Sequence, residues 1–192
     1  IVMTPSTVQE AAQMTIQAFD LADEYRMTVM ILGDGMIGQI MEPVDFDAIK
    51  TSDRQTDKSS WATTGTDNHE GRNVVNSLYI QPEALEQVNI RLDAKYADIS
   101  AKLPDWEEYL LDDADIVVAA YGTTARICRN AINMAREKGI KVGMIRLKTA
   151  WPFPTEPFAK AAQRCKSMLA VEMSLGQMVE DVRLSVEGAA PV

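Results

Sequence analysis

Three short stretches of this 192-residue chain combine residue types that could do chemistry. The first is Gly122-Thr123-Thr124, where an apolar run gives way to a helix-period run. Free backbone N–H groups and the helix dipole make such a corner attractive to phosphate or carboxylate. Arg126 would add a charge-assisted contact there. A dinucleotide fingerprint needs G-x-G-x-x-G, and only Gly122 is present; the plainer reading is a tight turn at Gly122 with Thr123 capping the helix. The second stretch is Gly33-Asp34-Gly35, whose carboxylate suits hard Mg²⁺. Its complement would be a later pair of asparagines, but Asn68 is isolated, so a turn-forming Asp34 is expected. The third is Glu172-Met173-Ser174-Leu175-Gly176-Gln177, at the carboxyl end of a strand, where functional loops of open parallel sheets collect. Glu172 has the chemistry of an acid/base group, yet no residue is placed by spacing to be its partner. Subunit contact is the first expectation for this stretch, and local capping the second.

The remaining candidates are weaker. The one histidine, His69, lies beside Glu70 in a polar stretch and excludes a multi-His metal site within the chain. No Ser/His/Asp or Cys/His arrangement and no nucleophile elbow can be argued. Cys128 and Cys165 form no C-x-x-C, so no iron–sulfur or zinc site is encoded, and both read as free thiols in a reducing cytoplasm. Trp151-Pro152-Phe153-Pro154 is a stiff loop with two aromatics, expected to pack or to meet a partner, with Thr155 capping the next helix. Eleven Met residues are adaptable core filler or a plastic subunit interface.

Composition narrows the classes. Apolar residues at 46% and charged residues at 24% are ordinary globular values. No apolar run is long enough for a membrane span. A net charge of −9 with no basic stripe argues against nucleic acid. The start at Ile1-Val2, without a Met or a charged-then-apolar leader, reads as internal.

The elements that must position these residues follow from periodicity. Val8, Ala12, Ile16, Phe19 and Ala22 predict a helix over 4–26, capped either by Thr4 with Pro5 at its first position or by Ser6 with Gln9 three later. A strand is predicted over 28–32. Residues 45–72 are polar without period and read as a linker or long loop, with Trp61 docking on a folded surface. Pro82 and the stripe from Leu85 to Leu103 predict a helix over 82–103. From there the pattern is strand 116–121, helix 124–138, strand 141–147, helix 155–165, strand 168–172 and a helix over about 177–187. This predicts α/β architecture, a parallel open sheet with helices on both faces and right-handed connections.

The run AYGTTARICRNAINMAREKGIKVGMIRLKTAWPFP followed by VEMSLGQMVEDVR resembles the C-terminal part of the alpha subunit of 2-oxoacid:ferredoxin oxidoreductases. MTPSTVQEAAQMTIQAFDLADEYR with MILGDGMIGQIMEPV resembles the end of that subunit's preceding domain. Among family members the chain resembles the branched-chain (2-oxoisovalerate) type most and the 2-oxoglutarate type next, although Met27-Thr28 stands where many relatives have Thr-Pro. The resemblance implies residues 1–45 as the tail of a thiamine diphosphate pyrimidine-binding domain, 46–113 as a linker with one helix, and 114–192 as a transketolase C-terminal-like domain.

It also implies oxidative decarboxylation of a 2-oxoacid to an acyl-CoA with electrons passed to ferredoxin. In the complete complex thiamine diphosphate and Mg²⁺ supply the carbon chemistry, and 4Fe-4S clusters on partner subunits or domains carry the electrons. The partners implied are the beta and iron–sulfur or gamma subunits, in a dimer or hetero-oligomer. The pyrimidine-contacting glutamate would lie upstream of Ile1 and the diphosphate motif on the beta subunit, so no catalytic, cofactor-binding or metal residue is assigned here, and the cofactors are not expected on this stretch alone. Two rival readings remain: a non-enzymatic assembly module with a transketolase-like domain, and a nucleotide-binding domain using the Gly122 corner.

Overall fold

In the computed structural model, residues 1–50, 56–65 and 74–192 are described. Five helices and seven strands occur among them: β1 (Val2–Met3), α1 (Val8–Tyr25), β2 (Met30–Ile31), α2 (Pro82–Lys102), β3 (Trp106–Tyr109), β4 (Ile116–Ala120), α3 (Gly122–Glu137), β5 (Val142–Leu147), β6 (Thr149–Trp151), α4 (Thr155–Ala162), β7 (Ser167–Ala170) and α5 (Met178–Val186).

The larger sheet has the order β3-β5-β4-β7. Strands β5, β4 and β7 run parallel, as the alternation of apolar strands and amphipathic helices predicts. Both faces are covered, and the pleat decides which residue goes where. Val117, Ala119, Ile145 and Leu147 pack with Phe158, Ala161, Met178 and Val182 of α4 and α5. Val118, Ala120, Val142 and Met144 pack with Ala125, Cys128 and Ile132 of α3. The fourth strand departs from the prediction. Residues 106–109 fall in the expected linker but form β3, antiparallel to β5. Its sequence, Trp-Glu-Glu-Tyr, carries two charges and suits an edge strand. Gly143 of β5 is required where the chain leaves β3, because a Cβ there would lie 2.5 Å from the Leu110 carbonyl oxygen.

A second, three-stranded sheet has the order β2-β1-β6, with β1 parallel to β2 and antiparallel to β6. The chain therefore passes from β5 in one sheet to β6 in the other within a few residues. Helix α1 and α2 cover this sheet through Met14, Tyr25 and Ile99. Tyr96 meets Trp151 edge-on at 5.8 Å between centroids, and Phe153 stacks on Phe158 at 5.3 Å, so both aromatics of the WPFP segment are packing residues.

Helix α1 starts later than either predicted cap. Thr7 is the N-cap, its side chain accepting from the Glu10 N–H at 3.0 Å. Thr4 is withdrawn from the helix because its hydroxyl donates to the Leu147 carbonyl at 2.9 Å, and Ser6 because it belongs to an ionic cluster with Glu10. Thr155 opens α4 without a side-chain cap bond. Residues 43–50 of the polar stretch run as a strap along α1. The Gln9 side chain exchanges two hydrogen bonds with the Asp45 backbone, and Gln13 does the same with Lys50. Trp61 docks as expected, under the Arg26 guanidinium at 4.9 Å.

The two sheets are tied by Arg146, 3% exposed in the middle of β5. Its guanidinium donates to both Glu10 oxygens at 2.9 and 2.7 Å, to Glu107 of β3 at 2.8 Å and to the Ser6 hydroxyl at 2.7 Å. Arg129 of α3 completes the cluster by pairing with Glu107. Burial by itself would raise the pKa of Glu10. The Arg146 hydrogen bond, the Ser6 N–H and the nearby positive charge outweigh it and hold the carboxyl below its usual range. Glu107 is held low in the same way, against its burial, by Arg129 and Arg146.

Replacing Arg146 by Ala leaves the Glu10 carboxylate without its cation, while Glu107 keeps Arg129. The expected loss is about 3–5 kcal/mol of unfolding free energy, measured by denaturant unfolding. Because both carboxyls have folded-state pKa values below their unfolded value, about 4.3, the stability they supply is complete above that pH and is lost as pH falls through their folded values. Thermal midpoints should drop steeply on acidification in the wild type and less steeply in Glu10→Gln.

Candidate functional site

The three stretches singled out in the sequence meet at one corner. Leu32 to Asp34 follow β2, Tyr121 and Gly122 follow β4, and Met173 and Ser174 follow β7; together they line a cleft of about 150 Å³. The site thus lies at the carboxyl ends of strands from both sheets, the edge where such folds place function.

Asp34 and Gly122 are bonded to each other rather than waiting for a ligand. The Asp34 carboxylate accepts from the Thr123 N–H at 3.0 Å and the Thr123 hydroxyl at 2.9 Å, and also from the N–H groups of Met36 and Ile37 at 3.0 and 2.9 Å. Asp34 therefore supplies the anion that the N-terminus of α3 attracts. Burial works to raise its pKa, but the N–H groups of Ile37 and Thr123, the Thr123 hydroxyl and the Met36 N–H bring it below the usual range. The expected Thr123 cap is corrected accordingly. Tyr121 holds the N-cap position without a side-chain bond, the helix starts at Gly122, and the capping oxygen arrives from a loop far away in sequence. Gly122 does permit the tight turn: its φ is +57°, and an added Cβ would sit 3.1 Å from Asp34 Oδ2.

Arg126 is also taken. It pairs with Glu42 at 2.7 Å and reaches the Ser6 carbonyl at 3.4 Å. Glu42 in turn accepts from the Val8 N–H at 2.9 Å, at the first turn of α1. Its pKa is lowered by that N–H and by Arg126. The segment from Gly33 to Glu42 is thus pinned at both ends by carboxylates on helix N-termini. Glu172 has the same role at α5, accepting from the N–H groups of Met178 and Val179 at 3.0 and 3.1 Å and from the Ser174 hydroxyl. Desolvation opposes ionisation of Glu172, while the Ser174 hydroxyl and the Met178 and Val179 N–H groups keep its pKa low. That is a permanently ionised cap, unsuited to donating a proton near neutral pH.

Side chains around the corner are large, apolar and uncovered: Met41 is 96% exposed and Leu175 fully so, with Met36 and Met173 more than half exposed. Asn68, His69 and Glu70 lie outside the described residues. Cys128 and Cys165 are free, and burial pushes both thiols up in pKa. Among the described residues no three of His, Cys, Asp or Glu stand together as metal ligands. The described residues therefore do not fit the Mg²⁺–diphosphate group of thiamine diphosphate: the carboxylate the sequence pointed to, Asp34, has its hydrogen bonds inside the protein. A cleft of 150 Å³ is also below the range of about 300–1,000 Å³ that encloses a ligand of that size. The residues missed in the sequence are Glu10, Glu42, Glu107 and Arg146. The only signal was Arg146 itself, a cation inside the apolar run Val142 to Leu147.

Comparison with known proteins agrees with the resemblance. Residues 1–101 match the family model described as pyruvate flavodoxin/ferredoxin oxidoreductase, thiamine diphosphate-binding, and residues 114–192 match pyruvate:ferredoxin oxidoreductase core domain II. The chain belongs to the 2-oxoacid:ferredoxin oxidoreductase family. It is 41% identical over 186 residues to the ketoisovalerate oxidoreductase subunit VorB of Methanothermobacter thermautotrophicus, covering 96% of this chain and 52% of the relative. It is 32% identical over 218 residues to the 2-oxoglutarate synthase subunit KorA of Methanothermobacter marburgensis, covering 100% and 57%. The chain spans about half the length of these curated relatives. In fold it is similar to a solved 2-oxoglutarate:ferredoxin oxidoreductase from Magnetococcus marinus with 2-oxoglutarate, coenzyme A and succinyl-CoA bound: TM-score 0.79, 20% identity, 100% of this chain and 40% of that one.

Truncating Asp34 to Ala removes the cap of α3 and should lower unfolding free energy by about 1–2 kcal/mol. Gly122→Ala should cost a similar amount, about 1–2 kcal/mol for the left-handed backbone alone. The added Cβ also presses on Asp34 Oδ2 at 3.1 Å; only that part disappears with Asp34→Ala, so the double variant should lose slightly less than the sum, and denaturant unfolding of the four proteins measures the difference.

Proposed function

We propose that this chain is part of the alpha subunit of a 2-oxoacid:ferredoxin oxidoreductase that converts a branched-chain 2-oxoacid, coenzyme A and oxidised ferredoxin to acyl-CoA, CO₂ and reduced ferredoxin. The observation that carries the reading is the ordered match of both halves of the chain to this family, joined to the 41% identity with a ketoisovalerate oxidoreductase subunit. Residues 1–45 are the tail of a pyrimidine-binding domain, 46–113 the connection, and 114–192 the transketolase C-terminal-like domain. Thiamine diphosphate, Mg²⁺ and iron–sulfur clusters belong to the assembled enzyme, with beta and iron–sulfur or gamma subunits as partners. The uncovered Met and Leu side chains at the Asp34 corner support subunit contact there, and a cytoplasmic complex fits a chain with two free thiols and no described helix long and apolar enough to cross a membrane.

A 2-oxoglutarate specificity is the second reading, favoured by the match over the whole chain to a 2-oxoglutarate synthase subunit. The test is co-expression of the full-length subunit with beta and cluster-bearing partners, followed by coenzyme A-dependent reduction of a viologen dye. 3-Methyl-2-oxobutanoate should give the highest kcat/KM of a 2-oxoacid panel. A preference for 2-oxoglutarate would establish the second reading. An assembled, cofactor-loaded complex inactive toward every 2-oxoacid would refute both.

A further inference from the structure

Peroxides attack sulfur, and this chain offers eleven methionines and two cysteines, all among the described residues. The cysteines are poor targets. A thiol reacts as its thiolate, and burial raises the pKa of both Cys128 and Cys165. Met3, Met14, Met144, Met168 and Met178 are buried. Exposure is greatest at the Asp34 corner: Met41 is 96% exposed and Met173 68%, with Met36 next at 56%.

The backbone under these three side chains is fixed by internal bonds. The Met36 N–H donates to Asp34. Glu42, beside Met41, holds Arg126 and the Val8 N–H. Glu172, beside Met173, accepts from the Met178 N–H. Oxygen added to these thioethers disturbs no core and breaks none of those bonds. The change is confined to the surface, where a flexible apolar side chain becomes a polar sulfoxide.

We propose that Met41 and Met173, with Met36 beside them, are the principal oxidation sites of this chain, and that their sulfoxides block the subunit contact made at the Asp34 corner. The sulfur gives an electron pair to hydrogen peroxide; the O–O bond breaks, a sulfur–oxygen bond forms and water leaves. The effect on assembly rests on the subunit reading above. A sulfoxide oxygen entering an apolar contact leaves water without a donor to meet it, a penalty the thioether does not carry. Assembly covers the same thioethers, so the reaction belongs to the unassembled subunit. Methionine sulfoxide reductases reverse it.

The test treats the full-length subunit, alone and in its complex, with hydrogen peroxide and follows each methionine by peptide mass spectrometry. In the free subunit Met41 and Met173 should gain oxygen at least about tenfold faster than Met144 or Met168, which react only when the core opens. The thermal midpoint should stay unchanged, and in the complex both sites should be protected. Oxidised subunit should bind its partners at least about tenfold more weakly. Reductase treatment should restore binding, and a variant carrying Met36→Leu, Met41→Leu and Met173→Leu should assemble normally after peroxide. Equal oxidation of Met41, Met173 and the buried methionines in the free subunit would overturn the assignment of the sites, as would a midpoint lowered by the oxidation. Unprotected oxidation in the complex, or normal assembly of oxidised subunit, would overturn the effect on assembly. None of these readouts uses turnover, so their failure is distinct from failure of the 2-oxoacid assay.

Discussion

A guanidinium buried in the middle of β5 is the constraint on which the arrangement depends. Arg146 cannot leave water without partners, and the three it finds come from separate parts of the chain: Ser6 and Glu10 before and within α1, and Glu107 on the edge strand β3. Removing two carboxylates and a cation from water costs nearly as much as their attraction returns. The cluster therefore adds little net stability over an apolar core of the same volume. What it imposes is registration. Only one placement of the N-terminal segment brings Glu10 onto Arg146, and that placement also sets Thr4 on Leu147 and lets β1 pair with β6. The antiparallel strand β3 has a matching reason to sit beside β5, since Glu107 shares the guanidinium and receives Arg129 from α3.

A second regularity follows from the first turns of the helices. A helix N-terminus carries about half a positive charge and N–H groups without intrahelical partners. Here carboxylates answer three of them: Glu42 at α1, Asp34 at α3 and Glu172 at α5. Two of these carboxylates lie far in sequence from the helix they serve. Each is fully ionised near neutral pH and occupied by internal donors. An acid beside glycine at the end of a strand looks like a metal ligand or a proton donor in a linear sequence, and in this chain it is a long-range cap. This is also why the nucleotide reading of the Gly122 corner loses ground: the position a phosphate would take already holds a carboxylate.

How much was legible follows from element length and contact range. Strands β4 and β5 and the five helices have enough residues for a period to show, and their positions and the two-faced covering of the sheet were readable. Strands β1 and β6 were not, because two or three residues cannot display alternation; they form through long-range pairing, β1 with both β2 and β6. Strand β3 was hidden by its charges, which suit an edge strand but resemble a linker. The caps of α1 and α3 were misread for a common reason. Thr4, Ser6 and Thr123 are good local capping residues, and each is claimed by a stronger tertiary partner: the Leu147 carbonyl, the Glu10–Arg146 cluster and Asp34. The stretches flagged as chemistry-bearing did converge on one corner: β4 and β7 are parallel neighbours whose carboxyl ends lie together, and the segment after β2 of the other sheet meets them.

The corner's construction bears on how such a subunit divides its work. A loop that must itself bind or release a ligand is usually held weakly, because its motion has to cost little. The segment from Gly33 to Glu42 is held strongly at both ends, yet it carries Met36 and Met41 outward, with Met173 and Leu175 on the neighbouring loop. Rigid backbone beneath uncovered, deformable thioether side chains suits a surface that meets another protein: the backbone is preorganised, and methionine adapts to what it touches. The carboxylates on the helix termini thus hold backbone in place where their position suggested chemistry. They fix the carboxyl edge of both sheets as one surface, on which the uncovered Met and Leu side chains stand.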